Sequence, residues 1–529
     1  MKKQFIYSAL FALLSIANLS AQQKNWAEHI APILYQNCTS CHHTGGLGGF
    51  NLITYNDAAS MASAVKNSTT AKRMPPWPPS TNYRRYAHER LLTDQQIADI
   101  TNWADNGAPQ GNPSLAPTVP TYNNLPTFTS PSMVAKMPDY RVSTNGEEYR
   151  CFVIPANNST IQYITGLEVI PGNPSAVHHV LIFQDTSTYQ LNRFDAADPQ
   201  PGYINLSQGG TPNAKLIGGW VPGSRPFEYP TGFGIKLEPR TNIILQVHYP
   251  AGSLTKTDST KVLFKMTPAQ QREITVAPAI NHIASLIGGP LDIPANQVKS
   301  YTAQYTLPNV PLSALSVLPH MHLIGKSMKV YAITPTTDTI PLIYIPSWDF
   351  KWQGQYFFKK LQQLPPRTKL RAEAVYDNTS NNPRNPNNPP RRVTAGEATT
   401  DEMMICYFAL SPYFPGDENI EIEPNLISST EGANTLPNVT FVSTIQLYQP
   451  SPNPTTNQLN VECFIPKLDN QTNFYITDAS GKTIWKGSEK PTQVGFHQFK
   501  INTTPFATGT YHLHLKSNNG ILSKSFIKE

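Results

Sequence analysis

The chain has 529 residues, of which 14% are charged and 49 are proline, and its formal net charge is +6. At roughly 100–200 residues per domain, this length predicts three or four domains. The charged fraction is low against the usual value of about 25%, and the basic residues form no cluster. Composition therefore argues against a nucleic-acid partner, and the high proline content favours strands and loops over helices.

The N-terminus has the pattern of a signal peptide over residues 1–21. Lys2 and Lys3 precede an apolar stretch from Phe5 to Ile16, and residues 19–21 (Leu-Ser-Ala) offer a small-residue cleavage site. An uncleaved membrane anchor is the alternative. No other stretch approaches the ~20 apolar residues of a membrane span, so we expect an exported mature chain with no transmembrane segment.

Residues 22–110 are predicted to form a small all-α domain. Apolar residues recur at helical spacing in two places, at Trp26, Ile30, Ile33 and Leu34 and at Ile97, Ile100 and Trp103. Thr93 is placed to cap the second helix, and Gly107 is placed to end it.

The motif Cys38-Thr-Ser-Cys41-His42 in this domain has the C-x-x-C-H spacing of covalent c-type haem attachment. Two thiols add to the two haem vinyl groups, and the following histidine reaches the iron. A thioredoxin-like redox pair or half of a zinc site are the alternatives, but neither explains His42, and the sequence has no second C-x-x-C. The motif therefore predicts one covalently bound haem c.

Met74 is the candidate for the second axial ligand of that haem. It lies in Arg-Met74-Pro-Pro-Trp, where prolines stiffen the chain. A thioether opposite a histidine raises the reduction potential, which suits an electron carrier. Met61, His88 or an open position are the alternatives. The whole segment resembles small monohaem cytochrome c domains.

A Pro-rich linker is expected over residues 111–135, and the chain then changes character. Short runs of β-branched and aromatic residues alternate with Pro, Gly and Asn turns up to about residue 430, which indicates β-sandwich architecture. The length fits two sandwiches, and we place them at residues 136–272 and 273–430. The expected strands include 161–165, 177–183, 242–249, 328–333, 370–376 and 403–410.

Histidine and methionine cluster at four places in this β region. The clusters are His178-His179, Gln246-Val-His248-Tyr, His320-Met-His322 and Asp401-Glu-Met403-Met404. Residues at i and i+2 of a strand face the same way, so the histidines of the third cluster can hold one ion. The adjacent histidines of the first cluster need a strand edge or bend to share a metal. Imidazole suits copper, zinc, iron or nickel, whereas a thioether selects Cu(I), so the set points to redox copper.

In order and spacing, these clusters resemble the type II, ascorbate-dependent copper monooxygenases, which hydroxylate peptidylglycine or dopamine. The resemblance covers about residues 137–425 and implies two all-β, jelly-roll-like sandwiches that hold two copper ions. It implies an electron-transfer copper on His178, His179 and His248, and an oxygen-binding copper on His320, His322 and Met403. Gln246 is expected to help relay electrons or water between the two sites.

The sequence departs from the peptide-acting branch of that family at positions that contact substrate. Leu318 stands where that branch has a carboxylate-binding arginine, and Ile405 stands where it has an asparagine. Tyr407 matches a family tyrosine and is a candidate catalytic residue. Met404 replaces a family cysteine, so at least one family disulfide is expected to be absent. The pairing of Cys151, Cys406 and Cys463 stays open. A peptidylglycine substrate is disfavoured, and a more apolar one is expected.

Residues 446–529 form a separate β unit that resembles the sorting domain of the type IX secretion system. The resemblance rests on the opening Pro452-Asn-Pro-Thr and the ending Gly509-Thr-Tyr-His-Leu. It implies the secretion machinery as a partner, transit through the periplasm, and release or attachment at the outer surface. A plain β-sandwich module is the alternative.

Together these features predict an exported oxidoreductase that hydroxylates a C–H bond of an organic substrate with O₂. The fused haem is expected to pass electrons to the copper pair from an external donor, which is either an ascorbate-like reductant or a redox protein. A non-catalytic protein for electron transfer or copper binding would use the same ligands. A haem-linked copper reductase is less supported, because no blue-copper motif with a cysteine is present.

Overall fold

A computed structural model describes residues 23–46, 48–122, 126–206 and 209–422. In the C-terminal part it describes residues 446–447, 450, 452–465, 472–487, 495–518 and 520–529. The predicted signal peptide lies outside these residues. The chain divides into a first unit, which extends to Trp77 and resumes over Arg90–Asn124, and a second unit of Pro78–Glu89 and Leu125–Glu529.

The first unit is helical. Its α-helices are α1 (Ala31–Asn37), α2 (Tyr55–Ser60), α3 (Ala62–Thr70) and α4 (Asp94–Asp105), with a π-helical turn over Trp26–Ile30 and a 3₁₀ turn over Pro113–Leu115. The predicted cap is confirmed, because the Thr93 hydroxyl accepts from the Gln96 backbone while the Gln96 side chain accepts from the Thr93 backbone. Ile100 and Trp103 are fully buried with the predicted N-terminal apolar face. Amphipathic spacing thus accounts for both helices.

The strands begin before the predicted linker ends. The first sandwich contains β1 (Met133–Lys136), β2 (Tyr140–Arg141), β3 (Glu148–Pro155), β4 (Gln162–Ile170), β5 (His179–Asp185), α5 (Thr188–Ala197), β6 (Tyr203–Ile204), β7 (Lys215–Trp220), β8 (Phe227–Glu228), β9 (Phe233–Leu237), β10 (Asn242–Tyr249), β11 (Thr257–Asp258), β12 (Lys261–Thr267) and β13 (Arg272–Glu273). The expected linker over 111–135 is therefore too long by three residues, because β1 pairs with β12 and buries Ala135.

Two sheets make the first sandwich. One has the order β1-β12-β4-β9-β13 with β8 beside β4, and the other has the order β6-β3-β10-β5-β7. Phe152 and Leu245 from the second sheet and Ile164 and Val262 from the first share one buried cluster. β10 is central and buried throughout, and its bounds are the predicted ones. A fully buried strand is rigid, so it is a precise support for a site.

The second sandwich follows directly after β13. Its strands are β14 (Thr275–Ile280), β15 (Leu286–Ile287), β16 (Asp292–Ile293), β17 (Val298–Thr306), β18 (Leu312–His320), β19 (Gly325–Ile333), β20 (Thr339–Ile345), β21 (Tyr356–Leu364), β22 (Lys369–Asp377), β23 (Val393–Thr394) and β24 (Ile405–Pro412), with a 3₁₀ turn over Asp417–Asn419. The sheets have the orders β14-β24-β18-β21 and β15-β17-β22-β19-β20. The strand predicted from Met403 begins only at Ile405, so both methionines of the fourth cluster precede it.

The two sandwiches share a continuous core. The cluster that fills the first sandwich also contains Leu315, Leu361 and Ala409 of the second. At the same junction, the guanidinium of Arg272 pairs with the buried carboxylate of Asp417. A common core and a buried ion pair hold the two sandwiches in one arrangement.

Residues 78–89 interrupt the predicted haem domain and pack on the second sandwich. Tyr86 is buried, donates its hydroxyl to the Leu342 carbonyl at 2.6 Å, and forms a β-bridge with Phe358. Arg84 lies 4.1 Å above the Phe358 ring and donates to the Gln362 side chain. The domain predicted over 22–110 is therefore not continuous in space.

The C-terminal region is entirely β in its described residues. Its strands are β25 (Gln446–Leu447), β26 (Gln458–Ile465), β27 (Asn473–Asp478), β28 (Thr483–Lys486), β29 (Gly495–Asn502), β30 (Gly509–Ser517) and β31 (Gly520–Lys528), in sheets β25-β26-β29 and β28-β27-β30-β31. Among the residues described for the whole chain, no helix is both long and apolar enough to cross a membrane.

Candidate metal centre

The first histidine site, formed by His178, His179 and His248, stands on the central ladder of the first sandwich. His179 begins β5 and lies opposite His248 of β10 in the strand register. His178 precedes the strand, and its backbone N–H donates to the His248 carbonyl at 2.9 Å. The bend required by adjacent histidines is therefore the start of β5.

The Nδ1 atoms of these three histidines converge on one point. The Nδ1 atom of His178 lies 3.2 Å from that of His179 and 3.2 Å from that of His248, and the last two are 3.4 Å apart. A metal bound at about 2.0 Å by ligands in near-tetrahedral directions leaves its nitrogen ligands about 3.3 Å apart. The three side chains fit a metal ion without rearrangement.

The site favours neutral imidazoles, which are the form that binds metal. Burial lowers the pKa of His178 to about 4 and places the pKa values of His179 and His248 well below the ordinary value of 6.5. Mutual repulsion of the protonated rings lowers the last two further. At neutral pH each ring is therefore a neutral imidazole with one N–H and one lone pair, and a metal would be bound through the lone pair of the tautomer that leaves Nδ1 bare.

The side chains of Tyr149 and Glu147 lie next to His248. The ring of Tyr149, on the adjacent β3, stacks on it at 4.1 Å with an interplanar angle of 7°. Its outer nitrogen, Nε2, lies 3.9 Å from a carboxylate oxygen of Glu147. Glu147 in turn accepts a hydrogen bond from the Thr399 hydroxyl of the second sandwich. At 3.9 Å Glu147 does not hydrogen-bond His248, whose buried Nε2 has no hydrogen-bond partner among the described residues.

The second histidine site pairs His320, at the end of β18, with His322. Their rings are nearly perpendicular, with centroids 5.1 Å apart. Nδ1 of His320 contacts the Gln353 side-chain oxygen, and Nδ1 of His322 lies 3.2 Å from the Asp401 carbonyl. Because both Nδ1 atoms face acceptors, each donates its proton there and leaves Nε2 free for a metal. Burial lowers the pKa of His320 to about 3 and of His322 to about 4.

Glu402 ties the loop of Met403 to the loop of His322. Its buried carboxylate accepts from the backbone N–H groups of His322 at 2.9 Å, Ile324 at 2.8 Å and Met403 at 3.2 Å. Burial raises the Glu402 pKa to about 8, and these N–H groups oppose that shift. The structure thus joins, through one side chain, two ligand segments that are 80 residues apart in sequence.

Met403 is buried beside this carboxylate, and its carbonyl accepts from the Tyr376 hydroxyl at 2.8 Å. The backbone N–H of Met404 faces Nδ1 of His282 at 3.4 Å, and His282 is a histidine that no motif singles out. The loop therefore holds the candidate thioether ligand by its backbone on both sides.

Gln246 and Tyr407 lie outside the two histidine sets. Gln246 donates to the Asn205 carbonyl at 2.9 Å and hydrogen-bonds the Cys151 thiol. Tyr407, on β24 opposite Leu318, packs against the buried cluster that contains Cys151. These contacts place both side chains against the first sandwich.

Three residues near the second site escaped sequence reasoning. These are Glu402, Gln353 and Phe350. Glu402 stands inside a recognised motif, but its role depends on backbone groups far away in sequence. Gln353 and Phe350 lie in the connection between β20 and β21, where no spacing marks them.

The haem-type motif lies at the end of α1 in the first unit. The backbone N–H groups of Cys41 and His42 both donate to the Cys38 carbonyl, which closes a tight turn. The Phe50 ring lies 4.3 Å from the His42 ring. A Cβ on Gly48 would come within 2.2 Å of His42 Nδ1, so the following loop closes over that side of the imidazole.

Each of the five cysteines, all within the described residues, has a free thiol. Cys38 and Cys41 are thus available for thioether bonds, and burial raises the pKa of Cys38 to about 12. Free thiols beside a turn-held histidine fit covalent haem attachment. Met74 is partly exposed, at 37%.

Comparison with protein families matches two segments of the chain. Residues 133–256 match the copper type II ascorbate-dependent monooxygenase N-terminal domain. Residues 451–529 match the secretion system C-terminal sorting domain. The first match contains the whole first histidine site, and the second indicates export, followed by secretion or surface attachment.

The chain is similar to curated monooxygenases over much of its length. It is 23% identical over 398 residues to "DBH-like monooxygenase protein 1" of Mus musculus, which covers 72% of this chain and 59% of that protein. The Homo sapiens protein of the same name is 21% identical over 332 residues, with 60% and 50% covered. The chain therefore spans about half or slightly more of the length of the relatives it matches.

A structural match to the VP2 subviral particle of infectious bursal disease virus, over 55% of this chain and 74% of that chain, has 11% identity and a TM-score of 0.16, which is too low to bear on the fold. The copper-domain match covers the segment that holds the first histidine site, and the similarity to the monooxygenase relatives extends over 72% of the chain.

Proposed function

We propose that this chain inserts one atom of O₂ into a C–H bond of a small or apolar organic substrate. In the balanced reaction the C–H bond breaks, a C–O bond forms, and the second oxygen atom leaves as water after uptake of two electrons and two protons. The observation that carries the proposal is the convergence of three neutral imidazole nitrogens at metal-binding distances.

Two copper ions fit the donor sets that the chain offers. His178, His179 and His248 would hold one through Nδ1, and His320 and His322 would hold the other through Nε2 with the thioether of Met403. When bound, the copper pair supplies oxygen activation and one-electron storage. A thioether favours Cu(I), so the second donor set is the one suited to a metal that must be reduced before it meets O₂.

Apolar side chains favour an apolar substrate. In the strand register, Leu318 lies opposite Tyr407, and Ile405 lies opposite His320. Neither Leu318 nor Ile405 can bind a substrate carboxylate, and both stand next to the second histidine site in sequence. Tyr407 remains a candidate hydrogen-bonding group for the substrate.

Electron supply through a covalent haem extends the proposal. Cys38 and Cys41 would hold the haem, with His42 and Met74 as axial ligands. The chain passes between the two units three times, after Trp77, Glu89 and Asn124. Repeated covalent connection keeps a tethered donor at high effective concentration. The haem stores one electron, so an external donor must reload it between turnovers.

Export through the periplasm completes the proposal. The sorting domain would deliver the enzyme to type IX secretion machinery, and the oxygen chemistry would take place outside the cell. Predicted removal of residues 1–21 belongs to the same route.

The copper proposal is tested with copper-loaded protein, ascorbate, ¹⁸O₂ and a panel of apolar substrates. We expect products that contain a single ¹⁸O atom, and we expect Met403→Ala to lose them while it keeps copper at the first site. Phe357→Leu, on β21, is the matched control. Turnover retained in Met403→Ala would contradict the role given to Met403, and two copper sites without product formation would favour a non-catalytic copper protein.

The haem proposal has a separate test. Protein extracted with acidified acetone should keep its haem absorption, because thioether bonds survive extraction. Met74→Ala should lower the reduction potential and change the ligand-field bands. A colourless extracted protein would contradict haem attachment, and an unchanged spectrum would assign the axial position to another residue.

A further inference from the structure

The ring of Phe350 contacts one histidine from each of the two histidine sites. It stacks on His178 of the first site with a centroid distance of 5.4 Å and an interplanar angle of 19°. It meets His322 of the second site edge to face, at 5.8 Å and 89°. The centroids of the His178 and His322 rings are therefore no farther apart than the sum of these two distances, and one aromatic ring contacts both histidines.

The loop that carries Phe350 is fastened to the second site at several points. The Gln353 amide donates to the Phe350 carbonyl at 2.7 Å, and the Gln353 oxygen contacts Nδ1 of His320. The Trp348 indole donates to the His322 carbonyl at 3.2 Å. The loop thus belongs to the second site, and the Phe350 ring is the part of it that reaches a histidine of the first.

Both aromatic rings that contact Phe350 belong to candidate metal ligands, and Phe350 itself is 9% exposed. Offset stacking and edge-to-face contact are the favoured geometries of aromatic pairs, so both imidazole planes are oriented by the same ring. The ring also occupies volume that water would otherwise take.

We propose that Phe350 is a positioning residue that couples the two copper sites, by orienting His178 and His322 and by keeping water out of the space between them. The proposal rests on the proposed copper function. With both sites loaded, one electron would pass from Cu(I) in the first site to Cu(II) in the second, so that one copper is oxidised as the other is reduced and no atom is transferred. In vitro, ascorbate would supply the electrons.

Phe350→Leu removes the ring and keeps an apolar side chain, whereas Phe350→Tyr keeps the ring. Phe357→Leu is the matched control, because the Phe357 ring packs in a tilted arrangement against Phe227 of the first sandwich, with centroids 5.1 Å apart, and contacts neither histidine site in the ring pairs described. Copper content is measured first on every variant. Two coppers per chain in all four proteins is the expected result. Fewer than two in the unmutated chain would overturn the copper function and this inference together.

Electron redistribution between the sites is then measured without any substrate. Anaerobic protein with Cu(II) and oxidised haem is mixed with one equivalent of ascorbate, which supplies one electron for the haem and one for the copper pair, and freeze-quenched samples are followed by electron paramagnetic resonance. We expect redistribution to be slower by roughly tenfold or more in Phe350→Leu, since an ångström-scale loosening of a site costs up to about a hundredfold in rate. Phe350→Tyr and Phe357→Leu should keep the original rate.

A second readout separates coupling from simple packing. In D₂O, pulsed measurements on Cu(II) should detect more exchangeable deuterons near the coppers of Phe350→Leu than near those of Phe357→Leu. An unchanged redistribution rate in Phe350→Leu with both coppers bound would overturn this inference and leave the copper function standing. Equal slowing in Phe357→Leu would also overturn it, because any loosening of the junction would then suffice.

Discussion

The two histidine sites are built by different means. In the first site, His179 and His248 are partners in a backbone ladder, and the ligand positions follow from strand register. In the second, His322 and Met403 lie in loops, and their positions follow from side-chain hydrogen bonds that converge on Glu402. The backbone hydrogen bonds of a ladder keep the ligands of the first site in place when one side-chain contact is lost. In the second site, loss of the Glu402 carboxylate would remove several hydrogen bonds at once.

This difference suits different tasks. A site for electron storage gains from a rigid ligand set, because little reorganisation accompanies oxidation and reduction. A site that must admit O₂ and substrate gains from loops, which can be adjusted without disturbing the sheets. The continuous core shared by the two sandwiches fixes the position of the second site's loops relative to the strands of the first site.

The largest expected effect is the loss of the second site alone. Glu402→Gln replaces one acceptor oxygen with an N–H₂ group that faces backbone donors, and a buried donor left unsatisfied costs about 1–3 kcal/mol. We expect copper content to fall from two per chain to one, with an unfolding free energy lower by roughly 1–3 kcal/mol. Metal analysis and denaturant titration measure both quantities.

Glu421→Gln is the control for this change, because Glu421 forms only an exposed pair with Lys360 and such pairs contribute about 0–1 kcal/mol. If Glu402→Gln lost the first copper instead, the two sites would not be independently supported.

Acid should destabilise the metal-free protein because the histidines of the two candidate metal sites are buried in their neutral form. Their folded pKa values lie below the unfolded value of 6.5, with His178 at about 4. Below pH 6.5 these histidines bind protons in the unfolded chain but not in the folded one. The free energy of unfolding therefore falls as the pH falls from 6.5 towards 4, by about 1.4 kcal/mol per pH unit for each such histidine. Urea midpoints measured across this range test the slope.

Copper should oppose that loss, because the metal holds the imidazoles deprotonated. The His179→Gln protein should be less acid-sensitive than the unmutated metal-free chain. Identical slopes in the two proteins would show that His179 is not kept neutral in the folded state.

A smaller effect is expected from the residue that orients His320. Gln353→Leu leaves Nδ1 of His320 without its acceptor, and loss of such outer contacts typically weakens metal binding 10–100-fold. Competition with a copper chelator measures the affinity of the second site. Gln355→Leu is the matched control on the same loop, since Gln355 bonds Ser316 rather than a histidine. Equal affinities in the two variants would remove Gln353 from the site.

The smallest effect is expected at Tyr149. Tyr149→Phe keeps the ring that stacks on His248 at 4.1 Å and with it the aromatic contact, so the affinity of the first site should change by no more than about twofold. Tyr149→Leu removes the stack and should weaken binding further. A large loss in the phenylalanine variant would assign the hydroxyl a role that the ring contact does not require.

The sequence predicted those parts of the molecule whose information is local. The Thr93 cap and β10 are each encoded by neighbouring residues, and capping preference and residue pattern are sufficient to find them. The convergence of the histidine clusters came from a family resemblance rather than from spacing, because strand register cannot be computed from composition. In the structure, the Nδ1 atoms of His178, His179 and His248 lie 3.2–3.4 Å from one another, so the histidines of the first site do converge.

Other features depend on distant parts of the chain and were not predictable. Glu402 acts on backbone groups of His322 and Ile324, and Phe350 acts on His178, which belongs to another sandwich. Residues 78–89 were assigned to the haem domain by continuity, but the buried hydroxyl contact of Tyr86 with Leu342 places them on the second sandwich. Such side chains carry no local signature of their contacts.

X-ray absorption spectroscopy of the Cu(I)-loaded protein tests the central claim most directly, because it counts the ligands of both sites. We predict two coppers per chain with predominantly imidazole scattering. Because only the second copper has a sulfur ligand, the average should be half a sulfur per copper, and this sulfur signal should be lost in Met403→Ala. A single copper per chain, or sulfur scattering that persists in Met403→Ala, would contradict that claim.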